Sequence, residues 1–223
     1  EAVFVASKQS GCPAEKMIAG VENSLERMGM DYIDLFYIHW PGRVDVREPM
    51  EGLMKLKERG RIRGIGVSNF NVEQMERAGE VGPIDAHQLC YNLLWRTYEN
   101  EIIPYCVEKG ISVVTYSTIA LGILTGKYGR HPEFPEGDVR PETVFMAEGV
   151  WPHVYDAVEK MKGVAEDAGR SLTDCAIRWV AQRPGVTSVL VGARNARQVT
   201  RNVGAMDGEI DESVFAKLTE ISD

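Results

Sequence analysis

Several residues able to bind or polarise a polar ligand stand where short apolar runs end. Lys8 follows Val5-Ala6-Ser7, His39 and Trp40 follow Leu35-Phe36-Tyr37-Ile38, and Ser68 and Asn69 follow Ile65-Gly66-Val67. Further along, Gln88 closes a short run, Tyr116 and Ser117 follow Val113-Val114-Thr115, and Gly192-Ala193-Arg194 follow Val189-Leu190-Val191. One at a time these are ordinary. A lysine at a strand end is most often a solvated charge, and a single histidine in an apolar stretch is most often a hydrogen-bonded packing residue. Ser-Asn after glycine is usually a turn or helix cap, and a tyrosine at a strand end usually packs. Their joint occurrence reverses that balance. If the runs are parallel strands, their C-terminal ends share one face, where a β/α barrel carries its functional groups.

The elements that must position these residues are legible as an alternation. Strand-like runs cover 2–7, 33–38, 62–67, 86–89, 111–116 and 188–191. They are apolar without period-two alternation, which predicts parallel strands covered on both faces. Helical patterns lie between them. Pro13 suits a first helical position, and Ile18, Val21, Leu25 and Met28 recur at helical spacing. Met50, Leu53, Met54 and Lys57 lead to Gly60, a good residue just past a helix end. Asn71 with Gln74, Ser171 with Asp174, and Asn195 with Gln198 read as N-caps with a polar partner three residues on. The first five strand starts are spaced by roughly 25–30 residues, the length of one βα unit.

The predicted fold is therefore α/β, a (β/α)8 TIM barrel forming one domain over residues 1–223, with about six of the eight βα units present. The gap between Tyr116 and Ser188 holds a Pro/Gly-rich stretch, 128–141, read as a mobile surface loop, then helical patterns near 154–168 and 172–182. A doubly wound nucleotide fold would need G-x-G-x-x-G after a strand. Gly64 and Gly66 are followed by Val67-Ser68-Asn69, so the third glycine is absent.

Composition narrows the partners. The formal net charge is −8 and no cluster of Lys or Arg stands out, which argues against nucleic acid. No apolar run reaches the ~18 residues of a membrane span. The four cysteines, Cys12, Cys90, Cys106 and Cys175, are scattered without C-x-x-C spacing, so they read as reduced packing residues in a cytoplasmic protein, with no metal. Glu1 leads at once into the apolar run Ala2-Val3-Phe4-Val5-Ala6, so the natural chain is expected to extend upstream.

Four motifs carry a resemblance. Asp31-Tyr32-Ile33-Asp34-Leu35-Phe36-Tyr37-Ile38-His39-Trp40-Pro41 resembles the D-Y-I-D-L-x-x-I-H-W-P signature of the aldo-keto reductases. Gly60-Arg61-Ile62-Arg63-Gly64-Ile65-Gly66-Val67-Ser68-Asn69-Phe70 is similar to their G-K-I-R-x-I-G-V-S-N-F stretch. Tyr116-Ser117 with Leu121-Gly122-Ile123-Leu124-Thr125-Gly126-Lys127-Tyr128 resembles the segment after their seventh strand. Val191-Gly192-Ala193-Arg194-Asn195 with Gln198 and Asn202 resembles their adenosine-phosphate segment.

The resemblance implies NADP(H)-dependent reduction of a small aldehyde or ketone to an alcohol. Of the family's catalytic Asp, Tyr, Lys and His, Lys8 matches the lysine and His39 the histidine; the Asp and Tyr are expected upstream of the lysine strand, with two further βα units. An ammonium beside the tyrosine would lower the phenol pKa, and His39 would hydrogen-bond the carbonyl oxygen. Ser68, Asn69 and Gln88 match the residues that hold the nicotinamide carboxamide, and Tyr116 the aromatic stacked on its ring. Ser117, Leu121 and Gly122 match the pyrophosphate loop. Gly192 belongs to the adenosine-phosphate segment, where Arg194 is placed for the 2′-phosphate; Gln198 and Asn202 are placed for the adenosine end. Trp40 and Trp95 are expected to line the carbonyl pocket. Position 201, often Glu in the family, is Arg201 here. The alternative is a nucleotide-binding or regulatory barrel without turnover, as among the family's potassium-channel β-subunit relatives. Open strand edges in a partial barrel would favour homo-oligomers.

Overall fold

In a computed structural model, which describes residues 3–223, six parallel strands follow one another in chain order with helices between them. The chain divides into two compact units, Glu1–Leu89 with Tyr98–Val114, and Cys90–Thr97 with Thr115–Asp223.

The first unit runs β1 (Ala6–Gln9), α1 (Ala14–Met28), β2 (Ile33–Ile38), α2 (Arg47–Glu58), β3 (Ile62–Ser68), α3 (Val72–Gly79), β4 (Ala86–Cys90) and α4 (Ile102–Lys109), and includes the start of β5 (Ser112–Tyr116). Register explains the site. Lys8 lies opposite Tyr37, Tyr37 opposite Gly66, Gly66 opposite Ala86, and Ser68 opposite Gln88. Side chains alternate along a strand, so one face carries Leu35, Tyr37, Gly64, Gly66 and Ala86, with polar Ser68 and Gln88 at its C-terminal ends. Leu35, Tyr37 and Ala86 pack with Val114 as the apolar floor. Gly66 is required there: a Cβ would fall 2.3 Å from the Tyr37 ring. The opposite face bears Phe36, Ile38, Ile65 and Val67, fully buried like Met17, Val21 and Leu25 of α1 and Met50, Leu53 and Leu56 of α2. Each such burial contributes roughly 1.5–3 kcal/mol.

Two carboxylates fasten the N-terminal part of this sheet. Asp34 accepts from the Val5 N–H at 2.9 Å and from Arg63 at 3.1 Å. Asp85 accepts from the Ile65 N–H at 2.7 Å and from Lys57 at 3.0 Å. These acidic residues are structural, lying away from the polar strand ends.

Two boundaries and one buried face in this unit differ from expectation. β1 begins at Ala6, so Lys8 lies within it; Val3 and Phe4 are 79% and 68% exposed, and Ala2 falls outside the described residues. Pro13 is the N-cap of α1, its ψ of 147° being extended rather than helical. In α1 Met17, Val21 and Leu25 are buried, four apart, while Met28 is 41% exposed.

The second unit contains α5 (Trp151–Asp167), α6 (Leu172–Ala181), β6 (Val186–Val189), α7 (Ala196–Gly204) and α8 (Glu212–Ser222), with 3-10 turns at Ala120–Thr125, Arg140–Glu142 and Val144–Met146. Its core is α6, where Cys175, Ala176, Trp179 and Val180 are buried; the Trp179 indole donates to Thr219 of α8 at 2.9 Å and its ring lies 5.5 Å from Tyr91. Ser171 and Asn195 cap α6 and α7 by accepting from the backbone N–H of Asp174 and Gln198, and Asn71 with Gln74 forms a full capping box on α3. β6 begins two residues earlier than expected, and Thr187 and Ser188 are exposed. With both of these exposed, the expectation of cover on both faces fails at β6. No helix among the described residues is long and apolar enough to cross a membrane.

Candidate active site

In the first unit the predicted residues form one polar cluster. The Lys8 ammonium donates to Gln88 Oε1 at 3.1 Å. Asn69 Nδ2 donates to the His39 carbonyl oxygen at 3.0 Å and to Ser68 Oγ at 3.0 Å, and its backbone N–H donates to the Gln88 carbonyl at 3.1 Å. Ser68 and Gln88 are buried, His39 is partly buried, and Trp40 is 49% exposed with its ring 5.9 Å from His39. Partial burial lowers the His39 pKa, and the positive charge of Lys8 lowers it further. The imidazole is therefore neutral at neutral pH, able to donate a hydrogen bond without carrying charge. Tyr37, beneath the cluster, is pushed up to about 12 by burial, so its phenol keeps its proton.

One buried residue supports this cluster without having been singled out. His87, on the outer face of β4, accepts from the Phe70 N–H at 3.2 Å through Nε2, and its Nδ1 lies 3.8 Å from Cys106 Sγ. It anchors the chain just after Ser68-Asn69. Only its position one residue before Gln88 hints at this in the sequence.

The second unit holds a cleft of about 500 Å³. Seven predicted residues line it: Ser117, Leu121 and Gly122 from the turn after β5, Gly192 and Arg194 after β6, and Gln198 and Asn202 on α7. Gln198 accepts from the Arg194 N–H at 2.6 Å, and Asn202 donates to the Gly192 carbonyl at 3.3 Å, so helix and loop brace each other. Four cations line the cleft, namely Lys127, Arg140, Arg194 and Arg201. Arg201 is steadied by Thr173 Oγ1 at 3.3 Å. Arg140 is closely paired with Asp138, holding that carboxyl well below the usual range, with the field of Arg194 acting in the same direction. The donor set suits an extended polyanion. Two predicted residues of this unit stand apart from the cleft lining: Tyr116, and Trp95, whose ring meets Phe145 edge-on at 6.1 Å.

Backbone conformation marks the same places. Among the described residues four non-glycines have positive φ: Asn69 (61°), Ser117 (55°), Ala120 (47°) and Leu121 (55°). Each costs about 1–3 kcal/mol and persists only where surrounding structure enforces it. Three of the four are predicted cofactor residues.

Comparison with known proteins decides the family. The aldo/keto reductase family model matches residues 1–223. The chain belongs to the aldo/keto reductase family. It is 35% identical to the aldo-keto reductase YhdN of Bacillus subtilis over 186 residues, covering 82% of this chain and 56% of that protein. It is 30% identical to the NADH-specific methylglyoxal reductase of Escherichia coli, covering 91% and 63%. Among solved structures it is similar to the glycerol dehydrogenase AKR11B4 from Gluconobacter oxydans, with a TM-score of 0.84, 32% identity, and coverage of 94% and 64%. The chain thus spans 56% to 64% of the length of these relatives.

Membership in the aldo/keto reductase family accounts for the alternation of strands and helices. Among the polar cleft-lining residues, Thr118, Arg140 and Thr173 lie outside the quoted motifs, and Thr125 and Lys127 lie within one without an assigned role. Lys127 is the next-to-last residue of that motif segment and was legible as a cation beside a predicted phosphate loop. Arg140 lies in 128–141, where Tyr128 and Phe134 rings sit 5.4 Å apart and Arg140 lies 4.9 Å over Phe134. No local pattern in the sequence brings it to the cleft.

Proposed function

We propose that the protein is an NADP(H)-dependent oxidoreductase that reduces a small aldehyde or ketone to an alcohol. The observation that carries this reading is the cationic cleft built from residues 117–202, whose donors suit the phosphates of a dinucleotide. Gly192 has open space where a Cβ would project, so its backbone is free for close approach of a ligand. Arg194 and Arg201 favour the additional phosphate of NADP(H), and the turn at Ser117, Leu121 and Gly122 serves the pyrophosphate. Ser68, Asn69 and Gln88 hold the carboxamide, Tyr116 supports the ring, and Gln198 and Asn202 serve the adenosine end.

When bound, the nicotinamide supplies a hydride to the carbonyl carbon. Negative charge would then grow on the carbonyl oxygen, which becomes an alcohol by taking up a proton from the tyrosine that the family resemblance implies; the chain's own groups answer the charge. The neutral imidazole of His39 donates a hydrogen bond to that oxygen, and the Lys8 ammonium, held by Gln88, stabilises the developing charge. Trp40 and Trp95 provide apolar walls.

Two measurements test the reading. Fluorescence titration should give tighter binding of NADPH than of NADH, and NADPH should be consumed with methylglyoxal or glyceraldehyde. Binding without consumption of any carbonyl substrate favours a nucleotide-binding regulatory barrel; failure to bind either nucleotide overturns the proposal.

A further inference from the structure

Asn92 stands outside every motif, yet it joins two segments that the proposed function assigns to different ligands. It is fully buried in the loop after β4. Its Nδ2 donates to the Ser117 carbonyl at 3.0 Å, and its Oδ1 accepts from the Leu94 N–H at 2.9 Å. Its backbone exchanges hydrogen bonds with Trp95 at 3.2 and 3.0 Å, closing a tight turn that carries the indole. The Ser117 carbonyl also accepts from the Ala120 N–H at 2.7 Å, so it is the first acceptor of the cleft-lining turn. Ser117, Ala120 and Leu121 all hold positive φ in that turn, and none is glycine. Strain of this kind needs an external partner, and the Asn92 amide is a buried one aimed at its first carbonyl.

We infer that Asn92 is a positioning residue: its amide nitrogen holds Ser117 in the left-handed conformation required by the dinucleotide cleft, while its amide oxygen holds the turn bearing Trp95. The inference rests on the proposed nucleotide site. A buried amide satisfied at both ends makes the two functions separable by chemistry. Asn92→Asp keeps an acceptor for the Leu94 N–H but, in its ionised form, loses the donor to Ser117. Asn92→Ala loses both without burying a charge.

The test is a double-mutant cycle in the full chain, read by NADPH titration, carbonyl KM and thermal denaturation. Asn92→Asp should weaken NADPH roughly tenfold, the loss of one hydrogen bond that also leaves a buried acceptor short. It should move the carbonyl KM less than Asn92→Ala does. Ser117→Gly allows positive φ without side-chain strain, so the same Asn92 substitution in the Ser117→Gly background should cost NADPH affinity at most about threefold. Costs that add fully across the cycle, with melting temperature as the sole property specific to Asn92, overturn the inference. If Asn92→Asp does not fold, Asn92→Ala runs the same cycle with the same criterion. Absence of nucleotide binding by the unsubstituted protein overturns the proposed function and this inference together; binding with an additive cycle overturns this inference alone.

Discussion

Lys8 on β1 and Gln88 on β4 touch at 3.1 Å although β2 and β3 separate their strands. Three strand spacings in a flat sheet amount to about 14 Å, and side chains stand perpendicular to such a sheet. The bond therefore reports a sheet bent toward the face that carries both residues, the curvature a barrel needs. It also fixes the ammonium near the partly buried His39. Lys8→Met should lower carbonyl turnover by about 10²–10³-fold while changing NADPH affinity only about threefold, since the charge acts on the reacting oxygen. Steady-state kinetics beside a binding titration checks this; unimpaired turnover would remove Lys8 from the site. Gln88→Leu frees the ammonium without deleting it and should cost less.

Cofactor preference should follow the arginines of the cleft. Arg194→Ala and Arg201→Ala are each expected to weaken NADPH about tenfold and NADH little, because one charge-assisted hydrogen bond to phosphate is worth roughly 1.5–3 kcal/mol before solvent screening. The preference should also shrink as salt is raised. Equal loss for both nucleotides would place these side chains elsewhere on the ligand.

The strand alternation was legible because parallel strands leave continuous apolar runs, and the caps at Asn71, Ser171 and Asn195 because their chemistry is local. The polar strand ends were legible for the same reason: Ser68 and Gln88 each continue an apolar strand by one register step. What depends on non-local geometry was not. Nothing near Arg140 tells that a Tyr128–Phe134 pair turns it toward the cleft, and nothing near His87 tells that Phe70 needs its imidazole. The β1 boundary slipped because Val3 and Phe4 are apolar enough to read as strand, although both are exposed.

Gly11 and Gly42 cross backbone to backbone just after the segments that bear Lys8 and His39. A Cβ on Gly42, where φ is +80°, would lie 2.2 Å from the Gly11 carbonyl oxygen, and one on Gly11 would lie 2.1 Å from the Pro41 oxygen. Gly42→Ala should therefore cost about 2–4 kcal/mol, combining positive φ with a backbone clash that cannot relax cheaply. Gly29 is the control: φ is +64° but no atom lies within 4 Å of an added Cβ, so Gly29→Ala should cost about 1 kcal/mol. Denaturant midpoints compare the two. Equal losses would mean that the crossing contributes nothing beyond φ.

Acid should expose the burial of His87. Desolvation lowers its pKa from 6.5 to about 4, and the Phe70 N–H at Nε2 requires the neutral ring with its proton on Nδ1. Between those two values the unfolded chain takes up a proton that the folded one refuses. Stability from this group is therefore fully present above pH 6.5, falls as pH drops through the window, and is lost by about pH 4, a change of about 3 kcal/mol. His87→Leu removes this titration but leaves the Phe70 N–H without its acceptor, costing about 1–3 kcal/mol, together with lost packing, at pH 7. The stability gap between the unsubstituted protein and His87→Leu should accordingly narrow as pH falls from 6.5 to 4, and taking that difference cancels the carboxylates and His39, which titrate in both. Urea denaturation at several pH values gives the gap directly. A gap that stays constant across this range would show that His87 is protonated, or solvated, in the folded protein and does not hold Phe70 as a neutral acceptor.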